Sequence, residues 1–236
     1  MKIARLPLVL AIVAGCVLAL SGLGVRAGLW SFQTGFKMLG GAAFGGLAAG
    51  AGALLALAIP RIRAGAVALL LPALLLGLAV AFVPWSLLNQ AKSLPPIHDI
   101  STDLTDPPAF QAILARRAGA PNSALHGGEK IAQAQRAAYP DIQSLQLAAP
   151  PADAFQRAVA AARAMGWEMV AEEPAAGRIE ATATTRWFGF KDDVVVRVRP
   201  AGTGSKVDVR SVSRVGVGDA GANAKRIREF LIRMRG

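Results

Sequence analysis

Residues 64–88 read AGAVALLLPALLLGLAVAFVPWSLL, and this stretch decides the architecture of the N-terminal part of the chain. No charged side chain interrupts its 25 positions. An α-helix rises about 1.5 Å per residue, so about 20 apolar residues cross a hydrocarbon core of about 30 Å. The stretch therefore predicts a transmembrane helix rather than a helix buried in a soluble core.

Two further uncharged runs, residues 6–25 and 38–59, precede it and are also long enough to span. All 15 acidic residues of the chain lie between Asp99 and Glu229. An acidic side chain at mid-membrane costs several kcal/mol, which explains why a bilayer-embedded stretch lacks them. The links at 26–37 and 60–63 are short, so neighbouring helices are antiparallel. We predict a three-helix transmembrane region at 1–88, with the lipid bilayer as its first partner.

The second run is rich in small residues. Gly41 and Gly45 form one GxxxG pair, and Gly46 and Gly50 form another. Small residues let helix backbones approach closely in a bilayer, where no hydrophobic effect drives their association. We expect these glycines to mediate packing against the neighbouring helices, self-association, or binding to another membrane protein.

The N-terminus allows other interpretations. A basic start and an apolar run are typical of a cleavable signal peptide. Residues 13–16 (VAGC) resemble a bacterial lipoprotein cleavage box that would lipidate Cys16, although residues 17–20 stay apolar. We favour an uncleaved helix, and the processing of Cys16 stays open.

Basic residues near the spans predict the orientation, because Lys and Arg concentrate on the cytoplasmic side. With the N-terminus inside, four of them face the cytoplasm and three face outward: Lys2, Arg5, Arg61 and Arg63 against Arg26, Lys37 and Lys92. Three crossings then place the C-terminal domain on the outer side. We predict a bacterial inner membrane protein with a cytoplasmic N-terminus and a periplasmic domain.

A net charge of +11 is common among nucleic-acid-binding proteins. Six basic residues and no acid lie in the first 91 positions, so over half of the excess flanks the membrane spans. We therefore do not expect nucleic acid as a partner.

The remaining chain predicts an α+β soluble domain: an antiparallel sheet of 4–5 strands with helices on one face. Residues 89–138 are interpreted as a linker and a Pro-rich extended segment, with a helix at 129–138, and residues 139–236 as the core. Residues 139–142 begin a short strand. Helices are expected at 152–165 and 220–235, with Asp219 as the N-cap of the last one. Alternating residues predict strands near 167–172, 178–185, 194–199 and 207–210, with a hairpin loop at 201–204.

Three stretches carry a family resemblance: residues 95–103 (PPIHDISTD) with 106–110 (DPPAF), residues 139–142 (YPDI), and residues 208–216 (DVRSVSRVG) followed by Asp219, Gly221, Asn223, Ala224, Arg226 and Ile227. Over residues 93–235 the chain resembles the domain-of-unknown-function family 1499, which is found in bacteria and plastids. The family has no established activity, so the resemblance implies no catalytic residues.

Patterns typical of enzymes are weak. Residues 216–221 (GVGDAG) match GxGxxG, but only 15 residues follow Gly221, too few for the second parallel strand and acid of a dinucleotide site. Asp192 and Asp193 have no nearby His or Cys and make a poor metal site. We predict no catalytic residues, no cofactor and no metal, and lean against an enzyme.

Arginines in the last 40 residues are the best candidate for a binding site. The candidate residues are Arg197, Arg210, Ser211, Ser213, Arg214, Asn223 and Arg226. At strand spacing, Arg210 and Arg214 share one face of their strand, and the two serines share the other. The arginines would bind a carboxylate or phosphate bidentately. Alternatively they form structural salt bridges with Asp192, Asp193, Asp208 and Asp219.

Two functions follow from these observations. The first is a non-enzymatic module that binds a partner protein or helps to assemble a membrane complex. The alternative is a small domain that binds an anionic ligand or lipid headgroup through the arginine cluster.

Overall fold

The chain divides into two units in the computed structural model, which describes residues 2–236. The first unit runs to Gln90 and includes Arg186–Gly189. The second comprises Ala91–Thr185 and Phe190–Gly236. The first unit contains the apolar helices, and the second contains a sheet.

Three long helices form the first unit: α1 (Lys2–Arg26), α2 (Phe32–Ala58) and α4 (Val67–Ser93), with a one-turn helix α3 (Pro60–Arg63) between the last two. All three are long and apolar enough to cross a membrane, which confirms the prediction from the uncharged runs. Helix α4 continues past the predicted end at residue 88. Residues 89–93 contain no proline or glycine, and Pro95 disfavours helix only at Leu94. The prediction of a linker beginning at residue 89 is therefore wrong at that end.

The glycines of α2 face different neighbours. A Cβ on Gly46 would lie 2.6 Å from the Gly77 carbonyl oxygen of α4, and one on Gly45 would lie 3.1 Å from Ala14 of α1. Gly50 also lies against Gly77. Among the described residues, no atom lies within 4 Å of the Cβ position of Gly41. Three of the four predicted packing glycines thus pack within the chain.

Six antiparallel strands form the sheet of the second unit: β1 (Asp99–Ser101), β2 (Leu145–Leu147), β3 (Glu168–Glu173), β4 (Arg178–Thr184), β5 (Lys191–Ala201) and β6 (Gly204–Ser213). Their order is β1-β6-β5-β4-β3, and β2 also pairs with β6. The hairpin predicted between β5 and β6 is confirmed. Gly202 turns the chain with φ +57°, a backbone conformation that glycine adopts without strain.

Strands β1 and β2 bring the number above the predicted four or five. Each has three residues, too short to show an alternating pattern. The strand predicted at 139–142 is wrong, because Tyr139 ends a helix and residues 140–141 form a turn. Pro140 lacks the N–H that a strand would need, and β2 begins only at Leu145.

Helices α5 (Glu129–Ala138), α6 (Pro151–Ala164) and α7 (Ala222–Arg235) complete this unit, close to their predicted positions. One sheet face packs on α6 and α7 in the main core, where the Trp167 and Phe230 rings stack with centroids 5.4 Å apart. This confirms the α+β class with helices on one face.

Residues 102–125 cover the opposite face of the sheet, and we call them the covering segment. A smaller core joins Phe110 and Ile113 of this segment to Val195 of β5 and Val212 of β6. The segment contains a 3-10 helix, Ala112–Arg117. An irregular segment thus packs on this face of the sheet, in the place where a layer of helices usually lies.

Candidate functional site

Alternation along β6 divides the predicted site residues between the two faces of the sheet. Arg210 and Arg214 point toward the face under the covering segment, where their carboxylate partners lie. Ser211 and Ser213 point toward α7, where both bond to Asn223. The period of two in a strand requires this division. The predicted residues therefore do not line one common pocket.

Arg210 is buried and joins three parts of the second unit. Its Nε and Nη2 donate to the two carboxylate oxygens of Asp99, both at 2.8 Å. The same guanidinium donates to the carbonyls of Pro108 at 3.2 Å and Ala124 at 2.9 Å. It also lies over the Phe110 ring, 5.2 Å from the centroid. Bidentate pairing and the use of all three nitrogens as donors suit a planar, permanently charged group.

Asp193 is fully buried between two arginines. Arg214 binds it with Nε and Nη2 at 2.9 and 2.8 Å, and Arg117 Nη1 donates to it at 2.6 Å. The Thr182 hydroxyl donates at 2.9 Å. The hydrogen bond to Asp193 is the main reason why the pKa of Arg214 is raised. Sequence reasoning missed Arg117, because the segment around it shows no periodic pattern.

Arg197 lies nearer the β5–β6 hairpin and contacts three acids. It donates to Asp106 at 3.0 Å, to Asp208 at 3.0 Å and to Asp103 at 3.3 Å. Burial opposes ionisation of Asp103. The hydrogen bond from Lys206 and two backbone N–H groups outweigh burial and hold the pKa of Asp103 below its usual value.

Asn223 organises the other face at the start of α7. Its Nδ2 donates to the His98 carbonyl at 3.0 Å and to Ser213 Oγ at 2.9 Å. Its Oδ1 accepts from Ser211 Oγ at 2.6 Å and from Arg226. Arg226 also donates to Asp192 Oδ2 at 2.5 Å. The buried amide thus uses both of its donors and accepts twice.

Asp219 does not occupy the N-cap position that the sequence predicted, since Gly221 is the N-cap of α7. Its carboxylate nevertheless accepts from the backbone N–H groups of Gly221 at 2.9 Å and Asn223 at 2.7 Å. Burial raises the pKa of Asp219, and these two hydrogen bonds only partly oppose the increase.

Each of the four predicted arginines is therefore ion-paired within the second unit. Asp192 and Asp193 point to opposite faces and do not converge. The arrangement neutralises the charge that would attract a phosphate. What it provides is a rigid frame: Arg117 and Arg210 bind backbone carbonyls of residues 122–124.

This frame holds an exposed apolar feature that sequence reasoning did not find. Leu125 and Val217 are 82% and 77% exposed, the highest values among large hydrophobic residues described in the second unit. Asn122 joins their two loops, since its Nδ2 donates to the Ser213 and Gly216 carbonyls at 3.0 and 2.9 Å. We call residues 122–125 and 216–217 the loop tip. Their Asn, Ser and Gly content is typical of any loop, so composition alone did not reveal it.

Comparison with known families agrees with the sequence resemblance. The family model described as "Protein of unknown function (DUF1499)" matches residues 99–234. No curated protein matches the chain at a significant level. The matched residues run from β1 into the last turn of α7, and they include the ion-paired arginines and the loop tip.

Proposed function

This chain belongs to the DUF1499 family, and on that premise we propose that it is a non-enzymatic, membrane-anchored module that binds a partner protein through its loop tip. The observation that carries the proposal is the exposure of Leu125 and Val217. The loop that ends at Leu125 accepts backbone hydrogen bonds from the buried side chains of Arg117 and Arg210. Large exposed apolar patches on a soluble surface often mark interaction sites, and we propose that these two side chains, on loops joined by Asn122, belong to one. Holding them rigid lowers the entropy that binding would cost.

The polar residues of the second unit support a binding role over a catalytic one. The buried arginines and acids are joined to one another in ion pairs. These pairs tie the sheet to the covering segment and to α7. We propose that they hold the shape of the domain, which suits a module that presents a surface to a partner.

We place this module in the bacterial inner membrane, with the N-terminus in the cytoplasm and the second unit in the periplasm. Support comes from the basic residues beside the spans, four on the proposed inner side and three on the outer side. The three apolar helices support an odd number of crossings.

In vivo photocrosslinking tests the partner proposal. A photoreactive residue at Leu125 in the full chain is expected to capture one discrete protein, and Val217→Ser is expected to weaken that adduct. Asn122→Ala should weaken it as well, because it loosens the loops without removing either apolar side chain. Ile232 on α7, which is 63% exposed, is the matched control position.

Two results would overturn the proposal. One is a Leu125 probe that captures only lipid. The other is the same set of adducts from Leu125 and Ile232, which would indicate random collision.

The anionic-ligand function remains the alternative proposal. Its site would be the group of Arg197, Arg210, Arg214 and Arg226, with Ser211, Ser213 and Asn223 beside them. The ion pairs give it less support, because a ligand would have to displace a carboxylate from each arginine. Thermal shift of the full chain with inorganic phosphate tests it. A shift that disappears in Arg214→Met would favour this alternative.

A further inference from the structure

A groove of about 750 Å³ lies between α2 and α4 in the first unit. Its walls include Gly40, Ala43 and Phe44 on α2, and Phe82, Trp85 and Leu88 on α4. Every residue that lines it is a glycine, an alanine, a proline or a larger aliphatic or aromatic residue. Phe44, Phe82 and Trp85 are 75%, 59% and 58% exposed, so large rings stand beside an open channel.

The groove occupies one half of the membrane depth. It extends over residues 40–47 of α2, which begins at Phe32, and over residues 78–88 of α4, which ends at Ser93. The start of α2 and the end of α4 lie on the same side of the membrane, because the two spans are antiparallel. Ten residues of helix rise about 15 Å, half of a hydrocarbon core of about 30 Å. The groove thus matches the depth of a single leaflet.

A positive charge stands at the outer end of the groove. Lys37 precedes Gly40 and Phe44, which line the groove, by three and seven positions on α2, so these three residues lie along one face of the helix. Lys37 is exposed, and neither residues 1–98 nor residues 186–189 contain an acidic side chain. Nothing in the first unit neutralises this ammonium. A long Lys side chain near a helix end reaches toward the headgroups of the bilayer.

We propose that this groove binds one acyl chain of an anionic phospholipid, whose phosphate is held by Lys37. The apolar walls select a hydrocarbon chain, the depth selects a lipid of one leaflet, and the unneutralised ammonium selects a negative headgroup. The site is independent of the loop tip and does not rest on the partner proposal.

Native mass spectrometry of the full chain tests the site. The protein is exchanged into a mild detergent with equal amounts of phosphatidylglycerol and phosphatidylcholine, and the retained lipid is counted. We expect one retained phosphatidylglycerol. Gly40→Leu is expected to lose it, because no described atom lies within 4 Å of the Gly40 Cβ position and the new side chain fills the groove.

Two further variants sharpen the experiment. Gly41→Leu is the matched control: its Cβ position is equally open, but Gly41 does not line the groove. It should retain lipid as the wild type does. Leu favours helix over Gly, so both leucine variants should fold, which circular dichroism would verify. Lys37→Gln should retain lipid but bind phosphatidylglycerol and phosphatidylcholine nearly equally.

Equal lipid retention by Gly40→Leu and the wild type would overturn the proposal. So would a Gly40→Leu variant that changes oligomeric state with an unchanged lipid count, since that result indicates a protein interface. Equal retention of the two lipids by the wild type would overturn the role of Lys37.

Discussion

Two buried guanidinium groups join the sheet to the covering segment at the residue scale. Arg210 bridges Asp99 to the carbonyls of Pro108 and Ala124, and Arg117 bridges Asp193 to the carbonyl of Asn122. A lysine has three donors on one atom and cannot span these acceptors as a planar guanidinium does. The loop tip therefore depends on side chains that never reach the surface.

Removing one partner of a buried pair should be far more costly than removing one partner of an exposed pair. Arg210→Met keeps the bulk of the side chain but leaves buried Asp99 uncompensated. We expect a loss of about 3–5 kcal/mol in the free energy of unfolding. Arg116→Met is the control, because Arg116 and Glu168 are 47% and 58% exposed, and it should cost less than about 1 kcal/mol. Urea unfolding in detergent, followed by circular dichroism, measures both; similar losses would contradict the structural role of Arg210.

His126 should make the stability of the second unit depend on pH. Burial is the main cause that lowers the pKa of His126 below its usual value of 6.5. The negative charge of Asp99 opposes this decrease, and the positive charge of Arg210 adds to it. The unfolded chain then takes up a proton more readily than the folded chain. The stability contributed by neutral His126 is present above pH 6.5 and is lost as the pH falls through 6.5 toward the folded pKa.

The measurement for His126 is the free energy of unfolding against pH. In the wild type the Gly128 N–H donates to His126 Nδ1, and His126→Asn keeps an acceptor for this N–H. This variant should lose less stability than the wild type between about pH 7 and about pH 5. His98→Gln removes the only other histidine and serves as the comparison variant. If both variants follow the wild type, His126 is not the titrating group.

At the scale of secondary-structure elements, close backbone contact determines how α2 and α4 of the first unit pack together. Gly46 and Gly77 approach so closely that a Cβ on either would lie 2.6 Å from the other residue's carbonyl oxygen. Backbone cannot move aside as a flexible side chain can. Small residues are the usual means of bringing helices this close in a bilayer.

Gly77→Leu is therefore expected to separate α2 from α4 and to destabilise the first unit by about 1–3 kcal/mol, as overpacking does. Thermal unfolding in detergent micelles measures the change as a lower Tm. Gly41→Leu makes the same chemical change where the Cβ position is open, and should leave the Tm nearly unchanged. Equal loss in the two variants would show that glycine is required at both positions for another reason.

The orientation in the membrane belongs to the scale of the whole molecule. Reporter fusions after Arg63 and after Gly236 test the proposed topology. We expect cytoplasmic reporter activity after Arg63 and periplasmic activity after Gly236, because three spans separate the ends of the chain. Cytoplasmic activity of the Gly236 fusion would invert the proposed orientation and remove the periplasm as the place of partner binding.

Local patterns in the sequence determined much of this protein. Long uncharged runs predicted the three spans, since length and apolar character depend on each helix alone. Alternation predicted β4, β5 and β6 and the opposite directions of Arg210 and Ser211. The strand predicted at residues 139–142 was wrong, because residues 140–141 form a turn and Ile142 is buried in the core without belonging to a strand.

Only the tertiary structure decided which groups meet. Arg210 and Asp99 are 111 positions apart, so no local spacing could pair them. The irregular covering segment shows no periodicity, yet it buries Phe110 and Ile113 and brings Asn122 to the loop after β6. The periodicity of helices and strands is a property of consecutive residues. Ion pairing and loop placement depend instead on which distant parts of the chain the fold brings together. The sequence alone therefore predicted the three apolar spans, because each depends on consecutive residues, and the fold decided that the arginines pair with acids of the second unit.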